Sequence, residues 1–325
     1  MTDVAKVAGV SLKTVSRVVN GVETVDQVLA ARVDAAIADL GYRHNLVAAG
    51  LKAGSGTRLI GLIATMLSDP FYGAVASAVD AVARARGFGV LMTGSGEDPA
   101  VEEQLAHDLC THQVRGLIVV PAAESVAHLA PEVARGLKVV CIDRPAAGIG
   151  ADTVLVDNRA LGRAMAGQLA GRGHRRVGVV LGSERVYTHR ERFAGIREGL
   201  AAVGIDLDPA LVVRDADEPD GASGGAMRIL TSDDPPTAVL TTNNRVTLGV
   251  LSVLGRLDRR VDLIGFDDPE YSRLLPLPVT LVAQDPAELG RIAAERLFAR
   301  LDGDDSPARR IVVPARVVTR GGAWA

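Results

Sequence analysis

Residues 3–20 read Asp3-Val4-Ala5-Lys6-Val7-Ala8-Gly9-Val10-Ser11-Leu12-Lys13-Thr14-Val15-Ser16-Arg17-Val18-Val19-Asn20. Thr2 can cap a short helix through Ala8, Gly9 interrupts it, and Ser11 can cap a second helix running to Asn20. In the second helix Val15, Val18 and Val19 fall at i, i+3, i+4 and are expected to face its neighbours. Leu12, Lys13, Ser16, Arg17 and Asn20 are left for the outward side. Lys13 and Arg17 carry like charge one turn apart, which costs roughly 0.2–0.5 kcal/mol in isolation. A phosphate or a guanine edge turns that repulsion into attraction, because lysine and arginine read guanine O6 and N7 in the major groove. Any one helix can carry a solvated charged face. The compact order of helix, glycine-containing turn and helix favours a helix-turn-helix instead. A third helix, Asp26 to Leu40, is expected to align Val28, Leu29, Val33, Ala36, Ile37 and Leu40 on one stripe and to stop at Gly41.

Beyond this headpiece, Asn45 to Lys52 is long enough for two helical turns, and Ala53-Gly54-Ser55-Gly56 forms a flexible joint. So short a helix does not persist alone, and Gly50 costs it roughly 1 kcal/mol relative to alanine. It is an ordinary linker or an element that folds on a partner. From Leu59 the pattern changes to short β-branched runs: Leu59 to Thr65, Gly89 to Thr93, Gly116 to Val120, Leu137 to Ile142, Val177 to Leu181, Ala238 to Thr241 and Val261 to Gly265. Between them lie helical patterns at Phe71 to Arg86, Pro99 to Thr111, Arg159 to Arg172, Glu191 to Val203 and Arg245 to Leu257. Such alternation predicts parallel sheets covered on both faces, and the number of units predicts two α/β lobes. No internal repeat is plain.

The whole chain has 325 residues, 48% hydrophobic and 23% charged, which is the balance of a globular protein of two or three domains. Thirty-six Lys and Arg face 39 Asp and Glu, and the net charge of −3 excludes a polycationic nucleic-acid coat. The first 58 residues reverse the sign, with seven basic and five acidic side chains. Cys110 and Cys141 are the only cysteines, which fits a reducing compartment better than a disulfide framework. No run of 18 uncharged apolar residues and no signal peptide is present, so a cytoplasmic location without a membrane partner is expected.

The stretch from Asp3 to Asn20 resembles the headpiece of the lactose-repressor (LacI) family of transcription regulators. Leu40-Gly41-Tyr42 and Asn45, with Ala48 and Leu51, match its end and its hinge. The resemblance continues through Asp69-Pro70-Phe71, Arg115-Gly116-Leu117-Ile118, Val139 to Arg144, Asp157-Asn158, Gly173-His174, Arg192-Phe193-Ala194-Gly195, Pro236-Thr237-Ala238 and Ile264 to Asp268. It implies an all-α helix-turn-helix headpiece (1–44), a hinge helix and linker (45–57), and a two-lobe α/β domain (58–325) resembling periplasmic sugar-binding proteins. Lobe one would hold 58–155 and 285–312, and lobe two 156–284 and 313–321. It further implies a homodimer, or a tetramer, on a pseudo-palindromic double-stranded operator, contacted by Ser11, Leu12, Lys13, Thr14, Ser16, Arg17, Asn20, Tyr42, Asn45, Ala48 and Leu51. In the family a hinge leucine enters the minor groove, and Leu51 occupies its position; such a wedge works because unstacking is offset by added contacts. The family usually has several more residues before the Asp-Val-Ala run, so the chain start is expected to be truncated or misassigned. Ala49 and Gly50 replace a common polar or basic pair, which should soften the hinge.

The resemblance places an effector between the lobes, at Asp69, Phe71, Tyr72, Asp143, Thr188, Arg192, Asn243, Asp267 and Gln284. Carboxylates, amides and an arginine suit sugar hydroxyls, since an unpaired buried polar group costs about 1–3 kcal/mol. Ligand contact is favoured for Asp267 over a solvated turn, and for Arg192 over a helix-start salt bridge. Asp69 and Asn243 could equally cap helices, and Asp143 and Gln284 could serve only the lobe hinge. Asn243-Asn244 replaces the family's usual Asn-Asp pair, and Pro219 stands where an aromatic often stacks on ligand. With ten aromatics in all, stacking rests on Phe71 and Tyr72. A carbohydrate is the default effector, a nucleobase or other polar metabolite the alternative.

An enzyme is the rival of another class. Gly221-Ala222-Ser223-Gly224-Gly225 spells a nucleophile elbow but follows the acidic, turn-like stretch Asp215 to Asp220 instead of a strand, so it reads as a flexible loop or helix start. Gly94-Ser95-Gly96 is a fragment of a phosphate loop and reads as a turn. Asp108, Cys110 and His112 would be split across helix faces, His174 reads as a structural hydrogen-bonder, and no metal or cofactor is expected.

Overall fold

The computed structural model describes residues 1–19, 22, 24–42, 57–145 and 147–322. The expected hinge segment with Asn45, Ala48, Ala49, Gly50 and Leu51, and Asn20, lie outside these residues. The chain divides into two units, Met1–Thr57 and Arg58–Ala325.

The first unit holds α1 (Thr2–Ala8), α2 (Leu12–Val19) and α3 (Gln27–Asp39). Thr2 lies inside α1 and does not cap it; Met1 takes the cap position without a side-chain hydrogen bond. Gly9 ends α1 at φ 62, a left-handed geometry that glycine adopts without a Cβ clash. Ser11 Oγ accepts from the Thr14 amide at 3.1 Å, and the Asp26 carboxylate accepts from the Val28 and Leu29 amides. Val4, Ala8, Val15, Val33 and Ala36 form the core, with Val18 and Val19 packed against it. The expected α3 stripe is narrower than read: Val28 is 68% and Leu40 45% exposed, because both sit at helix ends beyond the reach of so small a core.

The second unit contains two six-stranded sheets. Lobe one uses β1 (Leu59–Ala64), β2 (Gly89–Gly94), β3 (Gly116–Val119), β4 (Lys138–Ile142), β5 (Asp152–Leu155) and β11 (Arg310–Val312), in the order β11-β5-β4-β3-β1-β2. Alternate residues serve opposite faces, as the period of a strand dictates. Ile60, Leu62, Val140 and Ile142 pack on α4 (Pro70–Ala85) and α11 (Pro286–Leu301). Ile63, Val119, Val139 and Cys141 pack toward α5 (Pro99–Thr111). Each fully buried leucine or isoleucine contributes about 1.5–3 kcal/mol, and truncation of Leu62 to alanine costs about 2–5 kcal/mol.

Lobe two repeats the plan with β6 (Val177–Val180), β7 (Val212–Val213), β8 (Ala238–Thr241), β9 (Asp262–Phe266), β10 (Val279–Ala283) and β12 (Arg316–Arg320), ordered β12-β10-β9-β8-β6-β7. One face carries α7 (Asn158–Gly171) and α8 (Tyr187–Ala202), the other α9 (Pro219–Leu230) and α10 (Asn244–Leu254). The sheets are parallel and helix-covered as expected, with one antiparallel edge, where β12 pairs with β10. The chain passes between lobes after β5, β10 and β11. It therefore enters β12 from the cleft side, with Arg316 opposite Ala283, and runs away from the cleft while the parallel strands run toward it.

Candidate functional site

On α2, Leu12, Lys13 and Arg17 are exposed around the fully buried Val15, while Thr14 and Ser16 are half-buried. Arg17 Nη2 donates to the Thr24 hydroxyl at 2.6 Å, which orients the guanidinium along the helix surface. The Ser11 and Thr14 hydroxyls lie 2.9 Å apart. Tyr42 is half-buried and packs on the headpiece core.

In the second unit the carboxyl ends of both sets of parallel strands face one another, the position where open α/β sheets bind ligands. A cavity of about 430 Å³ lies there, and Asp69, Phe71, Tyr72, Asp143, Thr188, Arg192, Asn243, Asp267 and Gln284 all line it. Asp143 follows β4 and Asp267 follows β9, both with left-handed backbones, at φ 68 and 69. Each amide donates across to the neighbouring strand, Asp143 to Val154 O at 2.8 Å and Asp267 to Val282 O at 2.9 Å. The two lobes thus present matching carboxylates on matching turns, a repeat that the sequence does not display.

Asp69 and Asn243 do cap helices, accepting from the Phe71 amide at 2.9 Å and the Val246 amide at 2.8 Å. Capping does not remove them from the cavity, and Asp69 also accepts from Asn244 Nδ2 at 2.8 Å. Arg192 lies one turn inside α8 and is 3% exposed. It donates from Nε to Asn158 Oδ1 at 2.8 Å and from Nη1 to Thr242 O at 2.6 Å, and its guanidinium carbon stands 3.5 Å from the Phe266 ring centre. Gln284 Nε2 donates to Asp267 at 2.6 Å. Tyr72 is 7% exposed and packed edge-on to Phe71, so Phe71 is the ring with free surface. Pro219 opens α9 and is not among the lining residues.

Burial raises the Asp143 carboxyl, and raises that of Asp267 to about 6, with neighbouring carboxylates adding to both and Arg192 opposing. Burial pushes His189 down to about 3, leaving it neutral with Nδ1 2.7 Å from the Thr242 hydroxyl.

Several cavity residues were not singled out from sequence. Arg144 makes a two-pronged pair with Glu97, at 2.6 and 2.5 Å, on the lobe-one wall. Burial opposes its charge, yet the hydrogen bonds to Glu97 and the nearby Tyr72 and Asp143 hold it above its ordinary value. Arg144 directly follows Asp143 in the quoted run, which was its available signal. Glu97, His189, Asp217 and Glu218 join only through the fold, while Asn244 stands out in the sequence solely as a departure from the family's usual Asn-Asp pair.

The apparent nucleophile elbow lies within α9, where Ser223 Oγ accepts from Ser252 Oγ at 3.3 Å; it is neither a strand-to-helix turn nor a flexible loop. His174 bonds Thr237 at 2.9 Å. Among the described residues no three His, Cys, Asp or Glu side chains are grouped to hold a metal, and no helix is long and apolar enough to cross a membrane.

A helix-turn-helix unit in one chain with a two-lobed body and a polar interlobe cavity defines a transcriptional regulator controlled by a small molecule. The chain belongs to the lacI family of bacterial regulatory proteins, whose family model matches residues 1–45, while a periplasmic binding protein-like domain matches 166–322. It is 33% identical over 330 residues to the HTH-type transcriptional regulator PtxS of Pseudomonas aeruginosa, covering 99% of this chain and 94% of that protein. It is 29% identical over 325 residues to the ribose operon repressor of Haemophilus influenzae, covering 98% and 97%. The crystal structure of the lac repressor dimer bound to operator and the anti-inducer ONPF is similar, with a TM-score of 0.84 at 25% identity over 99% of this chain and 98% of that one. These are regulators and not enzymes.

Proposed function

We propose that this protein is a cytoplasmic repressor that binds a pseudo-palindromic operator as a homodimer and changes its operator affinity when a carbohydrate closes the two lobes. Lys13 and Arg17 read base edges, with Ser11, Thr14, Ser16 and Asn20 holding backbone or base, and Leu51 is the hinge wedge. The observation that carries the effector half is convergence. Nine residues spread from position 69 to 284 meet in one 430 Å³ cavity rich in carboxylates, amides and a buried guanidinium. Hydroxyls satisfy such a wall, and the repressor of a ribose operon among the relatives supports a sugar. Coupling requires the sugar to bind the operator-bound and free forms with different affinity, and the effect is reciprocal.

The test begins by selecting an operator from random duplexes with the full chain. Its affinity is then titrated at fixed salt with and without each member of a sugar panel that also reports thermal shifts. A sugar that both raises the melting temperature and moves operator affinity, with the second effect lost in Asp267→Ala while operator binding stays, is the expected outcome. No sequence preference among duplexes, or no response to any sugar, rejects the reading.

A further inference from the structure

We propose that the effector carries no anionic group: the cleft selects uncharged or cationic polyhydroxylated ligands and rejects phosphorylated and acidic sugars. This rests on the carbohydrate reading above and concerns which sugars qualify.

The carboxylates lining the cavity are Asp69, Glu97, Asp143, Asp217, Glu218 and Asp267, against the guanidinium groups of Arg144, Arg185, Arg192 and Arg245. Two of these four guanidinium groups are spent on carboxylates outside the aspartate trio of Asp69, Asp143 and Asp267. Arg144 is taken by Glu97 and by Pro121 O at 2.9 Å, and Arg245 pairs with Glu218. Arg192 is held by Asn158, Thr242 O and the Phe266 ring, neutral partners that fix the guanidinium without cancelling its charge, which acts on Asp143 and Asp267. Arg185 stands exposed at the cavity edge, where water screens it. His189, buried and neutral, adds no charge. Six lining carboxylates thus face four guanidinium groups, and the buried Asp69, Asp143 and Asp267 share the charge of Arg192, with Asp143 also 3.7 Å from Arg144.

A second feature, independent of charge, points the same way. Asn244 and Gln284 spend their amide nitrogens on Asp69 and Asp267, at 2.8 and 2.6 Å. Their oxygens, Asn244 Oδ1 and Gln284 Oε1, are buried with no protein partner. Asn244 as a whole is 4% exposed and lines the cavity. These orphan atoms accept hydrogen bonds and cannot donate them. A hydroxyl or an ammonium satisfies them, whereas a phosphate or carboxylate brings further acceptors against acceptors and charge against like charge.

The test uses the full-length protein and matched sets of aldoses and ketoses, each as the free sugar, the amino sugar and the sugar phosphate, by calorimetric titration. For every sugar that binds, the phosphate is expected to bind at least about tenfold more weakly than its parent, the size of effect that one unscreened like charge produces. Asp69→Asn keeps a helix-capping oxygen and an acceptor for Asn244, so the fold survives and only charge is removed; it should narrow the gap several-fold. A phosphorylated form binding as tightly as its parent overturns the proposal. A gap unchanged in both Asp69→Asn and Asp217→Asn also overturns it, since shape would then explain the exclusion. Absence of binding by every member of every set rejects the carbohydrate reading itself, a result distinct from either.

Discussion

Asn244 donates its side-chain amide to the carboxylate of Asp69 at 2.8 Å, tying the first residue of α10 in lobe two to the cap of α4 in lobe one. Both residues are buried, so the bond is little screened. A second link across the lobes, Arg190 to Glu124 at 3.0 Å, involves a glutamate side chain that is 75% exposed and contributes little by comparison.

Asn244→Asp, which restores the family's more usual residue, sets two carboxylates face to face. It is expected to weaken lobe closure by roughly 1–3 kcal/mol at pH 7.5, the cost of a lost bond plus like-charge repulsion. Small-angle scattering should show a larger radius of gyration for the isolated second unit. An unchanged radius would show that other contacts hold the lobes.

Asp267 makes stability depend on pH. Its carboxyl titrates at about 6 in the folded protein against an ordinary 3.8. The native state therefore binds this proton more tightly than the unfolded chain. The resulting stabilisation is complete below the unfolded value and is lost as pH rises through 6. Asparagine stays neutral throughout and tolerates the left-handed backbone. Asp267→Asn should be the more stable protein at pH 7.5, by roughly 2–3 kcal/mol, and the advantage should vanish near pH 4. Denaturant melts of both proteins at the two pH values decide it; a constant difference would contradict the assignment.

Arg17→Ala and Lys13→Ala should each weaken selected-operator binding by about 1–3 kcal/mol, with a much smaller loss on scrambled duplex. Because both side chains are exposed, headpiece stability should change by less than about 0.5 kcal/mol. Fluorescence anisotropy on operator and on scrambled duplex separates the roles. An equal loss on both duplexes for Arg17→Ala would assign it to phosphate instead of base.

Gly195 lets α7 and α8 touch. A Cβ there would be driven into the carbonyl oxygen of Arg159, and one on Gly162 into that of Arg192. Gly195→Ala should cost about 1–3 kcal/mol by prising the helices apart, and should displace Arg192 one turn earlier on α8, weakening effector binding. Gly167→Ala, on the open side of α7 with nothing near its Cβ position, should stabilise by about 0.5–1 kcal/mol. Thermal melts of the pair measure the contrast.

Much of the architecture was legible because its causes are local. Val15, Val18 and Val19 repeat at helical spacing, Asp26 and Asp69 stand where a helix needs a cap, and β-branched runs such as Gly116–Val119 alternate with amphipathic stretches. Helix α8 was read as starting at Glu191 instead of Tyr187, since Thr188 and His189 face a polar cavity and break the apolar period. For α9 the sequence leaves a flexible loop or a helix start, and the helix start is what forms; its length is hidden because the glycines and acidic approach imitate a loop.

Sequence by itself determined the headpiece helices, the two-lobe α/β plan and which polar residues stand at strand ends, for these follow from periodicity, capping and the family resemblance. Tertiary structure alone decided the pairings that build the cleft: Asn244 with Asp69 across it, Gln284 with Asp267 on the lobe-two wall and Arg144 with Glu97 on the lobe-one wall. The physical reason is distance along the chain. Partners 17 to 175 residues apart meet only once strands far apart in the chain have joined their sheets and, for Asn244 and Asp69, once the two lobes stand together. No local pattern encodes which buried charge will already be neutralised when a ligand arrives.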